Sequence, residues 1–528
     1  MERAGFQCLA GVDFNPQAVA VFRHNFQHVP HVLEKDMTKF GPEELSDLLG
    51  KQEVDVIVGG PPCQGFSTAR QRDGANNGER LKDDPRRRLF REFLRHIEYF
   101  QPKVFIMENV LGIRTAEGGA YYTAVQHEAR NLGKERGLPG YRVHSQIEDA
   151  YELGVPQKRR RQLFIGVRND VAGYFSPELK PPMRAIAHTN LGAALGDLPR
   201  LKAGSGEESC AYELSLREQH LTKSGVVAQN YLTKVLEVHR AKQLTAHRAR
   251  PHSDRDLGDF AKLKEGESSA KAMRRGVVFD FPYSTESFSD RYTRQSRSTP
   301  CSTIVAHLSK DGLMFIHPTQ NRTLTPREAA RIQSFPDWFE LPVARTHQFR
   351  IIGNAVPPLI AEAVGDAVKK FLDQAATEAK TLNKQITARS VIHPTAAASI
   401  PHDLFEACAL LSEVAKSKHR ELQAIDAPTF MRLWHAMLFA FPDLHPDNAH
   451  DHGDAMFEIE PPLSDAYELR RRYSRSGWPV ALEFMGKEAW RRYEAGRISE
   501  ADFYCVEAQK RGVKELDFPF RKRTENHA

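Results

Sequence analysis

Apolar and polar positions alternate in blocks through the first 170 residues, and the blocks change period as they go. Cys8-Leu9-Ala10-Gly11-Val12-Asp13 reads as a short strand ending in an acid. "NPQAVAVFRHNF" (15–26) follows as a helix, with Asn15 as N-cap and Pro16 at its first position. "EVDVIVGG" (53–60) is a continuous apolar run of the kind found in parallel strands covered on both faces. In "PRRRLFREFLRHIEYF" (85–100), Leu89, Phe93 and Ile97 recur four apart with Phe90, Leu94 and Phe100 beside them, the stripe of an amphipathic helix. "KVFIMENV" (103–110) and "RQLFIGVR" (161–168) are further buried-type strands. Strand and helix alternate, which predicts a doubly wound α/β sheet. Ligands of such sheets bind at the carboxyl ends of strands, and Asp13, Cys63 and Glu108 all fall there.

From about 170 to 320 the pattern becomes irregular, basic and rich in Ser, Thr and His. Helical periodicity returns at "TPREAARIQSF" (325–335) and "AVPPLIAEAVGDAVKKFL" (355–372). The polar stretch 377–399 reads as a linker, and 402–528 as a mostly helical segment.

Composition adds bounds. A chain of 528 residues implies two or three domains. With 41% hydrophobic and 27% charged residues and no unbroken apolar run of membrane-spanning length, it reads as a globular protein outside the membrane. No secretory signal is visible, and the six cysteines form no CxxC pair, so a reducing cytoplasm is expected and no metal site. The formal charge is +6, and residues 181–320 carry 20 Lys and Arg against 15 Asp and Glu. The excess sits in "HRAKQLTAHRAR" (239–250), "KAMRR" (271–275) and "RYTRQSR" (291–297), three runs suited to a phosphate backbone; each alone could be a solvated surface.

The residues that carry chemistry begin with "IVGGPPCQGFS" (57–67), where a strand runs into two glycines, two prolines and a cysteine. "MENV" (107–110), "VPQKRRRQLFIGVR" (155–168), "LTPREAARIQSFPDWF" (324–339) and "QFRIIGNAVPPLIAEAVG" (348–365) follow in that order. This ordered set resembles the S-adenosylmethionine-dependent DNA cytosine-C5 methyltransferases of bacterial type, over roughly residues 2–370. The resemblance implies a Rossmann-like doubly wound methyltransferase sheet with an inserted small target-recognition domain and an appended, mostly helical C-terminal region. The corresponding expectations are a catalytic domain at 1–180, recognition domain at 181–320, return to the catalytic domain at 321–376, linker at 377–401 and tail at 402–528.

The same resemblance assigns roles. Cytosine C5 is a poor nucleophile until a thiolate adds to C6, so Cys63 is the expected attacker. Pro61, Pro62, Gln64, Gly65 and Ser67 would shape its loop. Glu108 would contact N3 and N4 of the base, with Asn109 beside it, and burial there would raise its pKa in the needed direction. In the QxRxR motif, Arg161 would donate to cytosine O2, and Arg159 would support the Cys63 loop and Glu108, with Gln157 alongside. S-adenosylmethionine is the implied cofactor: Asp13 at the ribose hydroxyls, Phe14 on the adenine, Asp36 with Met37 at the adenine amino group, Asn354 near the methionine end, and Pro62 adjoining.

Two departures qualify this. Family members open with a strand and a glycine loop, whereas here Met1-Glu2-Arg3-Ala4-Gly5-Phe6 matches the middle of the following helix. The expectation is that this first strand is missing upstream, leaving a neighbour's edge unpaired and S-adenosylmethionine bound poorly. The tail lies outside the resemblance, and its "HPDNAHDHGDAM" (445–456) reads as a polar loop. The implied partner is double-stranded DNA in the cytoplasm or nucleoid, acted on by a monomer, with a cognate restriction endonuclease or defence-system proteins as further partners. A tRNA cytosine-C5 methyltransferase and a catalytically impaired DNA-binding homologue remain alternative readings.

Overall fold

The structure, a computed structural model, describes residues 1–61, 89–171, 175–281 and 291–389, with side chains to residue 377. The Cys63 loop and the 402–528 tail lie outside the described residues. Contacts divide the chain into two compact units, Met1–Leu138 with Ile147–Leu163 and Glu178–Asp373, and Pro139–Gln146 with Phe164–Pro177 and Gln374–Ala528.

Strand β1 (Ala10–Asp13) leads through Asn15 into α1 (Pro16–Asn25). The Asn15 side chain accepts from the backbone N–H of Gln17 (3.0 Å) and Ala18 (3.1 Å), the predicted cap. β2 (His31–Glu34) pairs with β1 in parallel, Asp13 opposite Glu34. After α2 (Pro42–Leu48) comes β3 (Val56–Gly59), then α3 (Phe90–Phe100), which buries Phe90, Phe93, Leu94 and Ile97 as its apolar stripe requires. β4 (Val104–Asn109) lies parallel to β3 and is buried along Val104, Phe105, Ile106 and Met107. After α4 (Ala120–Arg130) come β5 (Tyr141–Asp149) and β6 (Arg160–Arg168), which complete a sheet of order β3-β4-β6-β5.

A single sheet was expected. Among the described residues β1-β2 and β3-β4-β6-β5 are separate sheets, because no described strand pairs with both β1 and β3. With one hydrogen-bonded neighbour instead of two, β3 is not the fully covered strand its apolar run predicts: Val58 is 52% exposed.

The first unit continues with α5 (Leu191–Leu195), the antiparallel pair β7 (Gly206–Cys210) and β8 (Leu244–Arg248), and between them α6 (Leu214–Lys223) and α7 (Val226–Asn230). Then α8 (Asp254–Lys262) and α9 (Ser269–Arg274) pack a small apolar cluster of Phe260, Leu263, Ala272, Tyr292, Leu313 and Ile316. α10 (Pro326–Ile332) opens on a capping box of Thr325 and Glu328 and is followed by α11 (Arg345–Asn354) and α12 (Pro358–Arg389). α12 runs well into the stretch read as a linker; "TEAKTLNKQITAR" is rich in good helix formers and holds no Gly or Pro. The helical stretch Arg345–Thr377 is long and apolar enough to cross a membrane by composition, but over half of its apolar window is buried inside the protein, as in a core helix. In the second unit, Asn169 donates from Nδ2 to the Pro139 carbonyl (2.7 Å) and from its backbone N–H to Gly140 (3.1 Å), while Gln146 donates to Pro177 (2.6 Å).

Candidate active site

The register of β3 and β4, Gly59 opposite Met107, brings the segments after both strands together. Asn109 Nδ2 donates to the Pro61 carbonyl (3.3 Å), and its Oδ1 accepts from the Val110 N–H (2.9 Å), so one buried amide ties the two strand ends. Gly59 has a steric reason: a Cβ there would stand 2.5 Å from the Phe93 ring of α3, whereas one on Gly60 would only reach ordinary contact with Glu108 Oε2 at 3.4 Å.

Glu108 is the penultimate residue of β4 and Arg161 the second of β6; Nε of Arg161 stands 2.7 Å from Oε1 of Glu108, and both side chains are mostly buried. Arg161 also donates from a terminal nitrogen to the Arg160 carbonyl (2.8 Å), which fixes the guanidinium. Burial pushes the Glu108 carboxyl above the ordinary glutamate range, against the opposing pull of Arg161 and then Arg159. A carboxyl that keeps its proton to higher pH, beside a fixed cation, can donate to one ring atom while the guanidinium holds a neighbouring oxygen.

Arg159, fully buried, donates to three carbonyls: Ile304 (2.7 Å), Gly353 (3.2 Å) and Ala355 (2.8 Å). The expectation tied this residue to the Cys63 loop and Glu108. Its charge does act on Glu108, while these bonds hold the segment that closes the basic region against the turn at 353–355. Gly353 is needed there, since a Cβ would fall 2.3 Å from the backbone of Val305 and Ala306. Buried Gln157 accepts from the Ile304 N–H (3.0 Å), and Asn354 is exposed on the same turn.

Asp13 and Asp36 follow the adjacent strands β1 and β2. Asp13 Oδ1 accepts from the Asn15 N–H (2.8 Å), Phe14 is 67% exposed, and the Asp36 carboxyl is held below its usual range by the N–H and hydroxyl of Thr38. Met37 is half-buried, its carbonyl accepting from Arg95 (3.1 Å). An uncovered aromatic ring beside two acids at neighbouring strand ends suits an adenosine group: a flat apolar face for the base, carboxylates for its hydroxyl and amino donors. Among the described residues no hydrogen bond or ion pair joins this cluster to Glu108. Cys63, Pro62, Gln64, Gly65 and Ser67 lie outside the described residues.

Residues 1–370 match the model of C-5 cytosine-specific DNA methylases. The chain belongs to that family. It is similar to the type II methyltransferase M.DdeI of Desulfomicrobium norvegicum, 33% identical over 387 residues spanning 70% of this chain and 85% of that protein. M1.HphI of Haemophilus parahaemolyticus, also a type II methyltransferase, is 32% identical over 373 residues, 70% of this chain and 82% of the other. The crystal structure of a protein encoded within an E. coli prophage superposes with a TM-score of 0.53 at 26% identity, covering 70% of this chain and 94% of that one.

Within this DNA methylase, individual residues of the basic runs separate into two kinds: Arg240 and Arg275 pair with Glu237 (2.6 Å) and Glu267 (2.9 Å) inside runs that also carry exposed cations. In "RYTRQSR", expected to face phosphates, Arg291 pairs with Asp311 and Arg297 with Glu265 (3.1 Å). Buried Arg294 donates to the carbonyls of Phe260, Leu263, His317 and Gln320. In that run Arg294 is used inside the protein, while Arg291 and Arg297 pair with carboxylates at the surface. Lys242, Arg248, Lys271 and Arg274 are exposed, and their side chains make no ion pair or hydrogen bond among the described residues. α10, a helix where the periodicity predicts one, is buried all round with Arg327, Glu328 and Arg331 inside. Glu328 takes Arg322 (2.7 Å), and Arg331 is shared by Asp197 and Asp337 (2.5 Å each). Sequence reading missed Gln333 and Gly353 as site supports; the only signal was their position inside "RIQSF" and "RIIGNA".

Proposed function

We propose that this methylase modifies C5 of cytosine within a specific sequence of duplex DNA, as the modification enzyme of a restriction-modification or related defence system. The observation that carries the reading is the buried Glu108–Arg161 pair, 2.7 Å apart at adjoining strand ends, with the Glu108 carboxyl raised. The type II methyltransferases it resembles support the biological setting and a partner nuclease.

In this mechanism the target base leaves the duplex, at a cost offset by protein contacts to both strands. Cys63 Sγ adds to C6, and the displaced electron pair moves toward N3 and O2. Glu108, still protonated, donates to N3 and accepts from the N4 amino group, while Arg161 donates to O2, so both stabilise charge where it develops. S-adenosylmethionine supplies the methyl group when bound, held by Asp13, Phe14, Asp36 and Asn354. Loss of the C5 proton to a water molecule lets its bonding pair re-form the C5–C6 double bond, and Sγ leaves C6 as the thiolate. Arg159 and Gln157 keep Arg161's loop in place. Residues 181–320 serve as the DNA-reading domain, with Lys242, Arg248, Lys271 and Arg274 on phosphates.

Bisulfite sequencing of host DNA with the wild-type gene and with Cys63→Ser tests this. Site-specific methylation should accompany the wild type alone, while Cys63→Ser still binds duplex. Methylation surviving in Cys63→Ser, or none with the wild type, overturns the reading.

A further inference from the structure

Three segments distant in sequence meet through two buried amide side chains. The Ile304 N–H donates to Gln157 Oε1 (3.0 Å). Gln157 Nε2 donates to Gln333 Oε1 (2.5 Å) and to the Ile332 carbonyl (3.2 Å). Gln333 Nε2 donates to the Ile352 carbonyl (2.7 Å). Both glutamines are fully buried. The direction of this ladder is not a free choice. A backbone N–H at one end makes Gln157 Oε1 the acceptor, and a backbone carbonyl at the other makes Gln333 Nε2 the donor. Turning either amide over would set donor against donor or acceptor against acceptor.

The ladder therefore joins the segment that closes the basic region, the loop carrying Arg159 and Arg161, and the turn carrying Asn354. Arg159 spans the same gap by its bonds to Ile304, Gly353 and Ala355. Gln333 comes from a fourth place, the end of α10, and its own bond reaches the turn alone. We infer that Gln333 is a positioning residue that holds the Asn354 turn in register with the loop carrying Arg161, so that the methyl donor and the base are placed by one rigid unit. The inference rests on the reading of Asn354 and Arg161 given above.

Replacing Gln333 with Met keeps the side-chain length and removes both ends of its bonding. Calorimetric binding of S-adenosylmethionine to the full chain without DNA should weaken about five- to tenfold in Gln333→Met, the order expected for loss of the close bond to the Asn354 turn at the Ile352 carbonyl. Binding of target duplex should change less than about twofold, because the side-chain bonds of Gln333 go to Gln157, Ile352 and Ala355 and not to the exposed basic residues. In steady state the KM for the donor should rise more than kcat falls. A merely structural role would weaken donor and duplex binding together and lower the melting temperature in proportion. If Gln333→Met does not fold, Gln333→Asn, which keeps the amide but shortens its reach, should show the same donor-selective loss in smaller size. Donor affinity unchanged in the variant, or lost in step with duplex affinity, overturns the role of Gln333 alone. A wild-type chain that binds no donor overturns the cofactor reading beneath it.

Discussion

Arg331 offers a stringent test of how the interior is assembled. Its guanidinium is fully buried and donates to Asp197 (2.5 and 3.3 Å), to Asp337 (2.8 and 2.5 Å) and to the Ala194 carbonyl (3.1 Å). Arg331→Met keeps much of the volume but leaves two carboxylates inside the protein. Asp337 would retain the Tyr212 hydroxyl (2.7 Å), with Arg327 at 3.8 Å; Asp197 would retain Arg217 at 3.6 Å. Removing one partner of a buried ion pair costs about 3–5 kcal/mol. At about 2–4 °C per kcal/mol, the melting temperature should fall by about 6–20 °C. The sign with pH follows from Asp337, whose carboxyl is held below its usual range because Arg331 and then Arg327 outweigh burial. Without Arg331 burial dominates and the carboxyl moves up, so acidification should narrow the gap between variant and wild type. The triple variant Arg331→Met/Asp197→Asn/Asp337→Asn should be more stable than Arg331→Met, since the stranded charges are gone. Thermal unfolding followed by near-ultraviolet circular dichroism measures all three. A single variant melting within about 2 °C of wild type, or a triple variant less stable than the single, refutes the account.

Further expectations concern the site and its surroundings. The raised Glu108 carboxyl means that activity needing its proton persists to higher pH than an ordinary glutamate allows and falls as pH climbs through that value; Glu108→Gln should abolish this limb of the pH–rate profile and lower kcat about 10²–10⁴-fold. Burial lowers His252 and His317 to about 4, so the unfolded chain takes up protons that the folded chain refuses, and stability is lost as pH falls from about 6.5 toward 4. His317→Gln should flatten that slope in urea titrations at pH 7 and pH 5. Lys271→Ala with Arg274→Ala should reduce the salt dependence of duplex binding by about one counterion per residue, whereas Arg294→Met should destabilise the fold; a salt slope unchanged in the double variant would remove those two residues from the interface.

What the sequence determined by itself was local or ordered. Asn15-Pro16 caps α1 with its own side chain, the apolar runs of β4 and β6 require burial wherever they lie, and the sequence of motifs from "GGPPCQGFS" to "GNAVPP" identifies the family without coordinates. Nothing in the residue pattern singled out β5, whose "YRVHSQIED" reads as polar yet buries His144, Ser145, Gln146 and Glu148. Periodicity reports how many apolar side chains lie on a face, not whether a polar one has found a partner. The tertiary structure decided where charge goes. Arg331 and Asp197 stand 134 positions apart, so no window of sequence shows that α10 has a polar interior. Arg294 and Lys271 belong to equally basic runs, but only the fold sets carbonyls around the first and leaves the second in water. An unpaired charge is too costly to bury and a paired one is not, and pairing is a property of the folded chain.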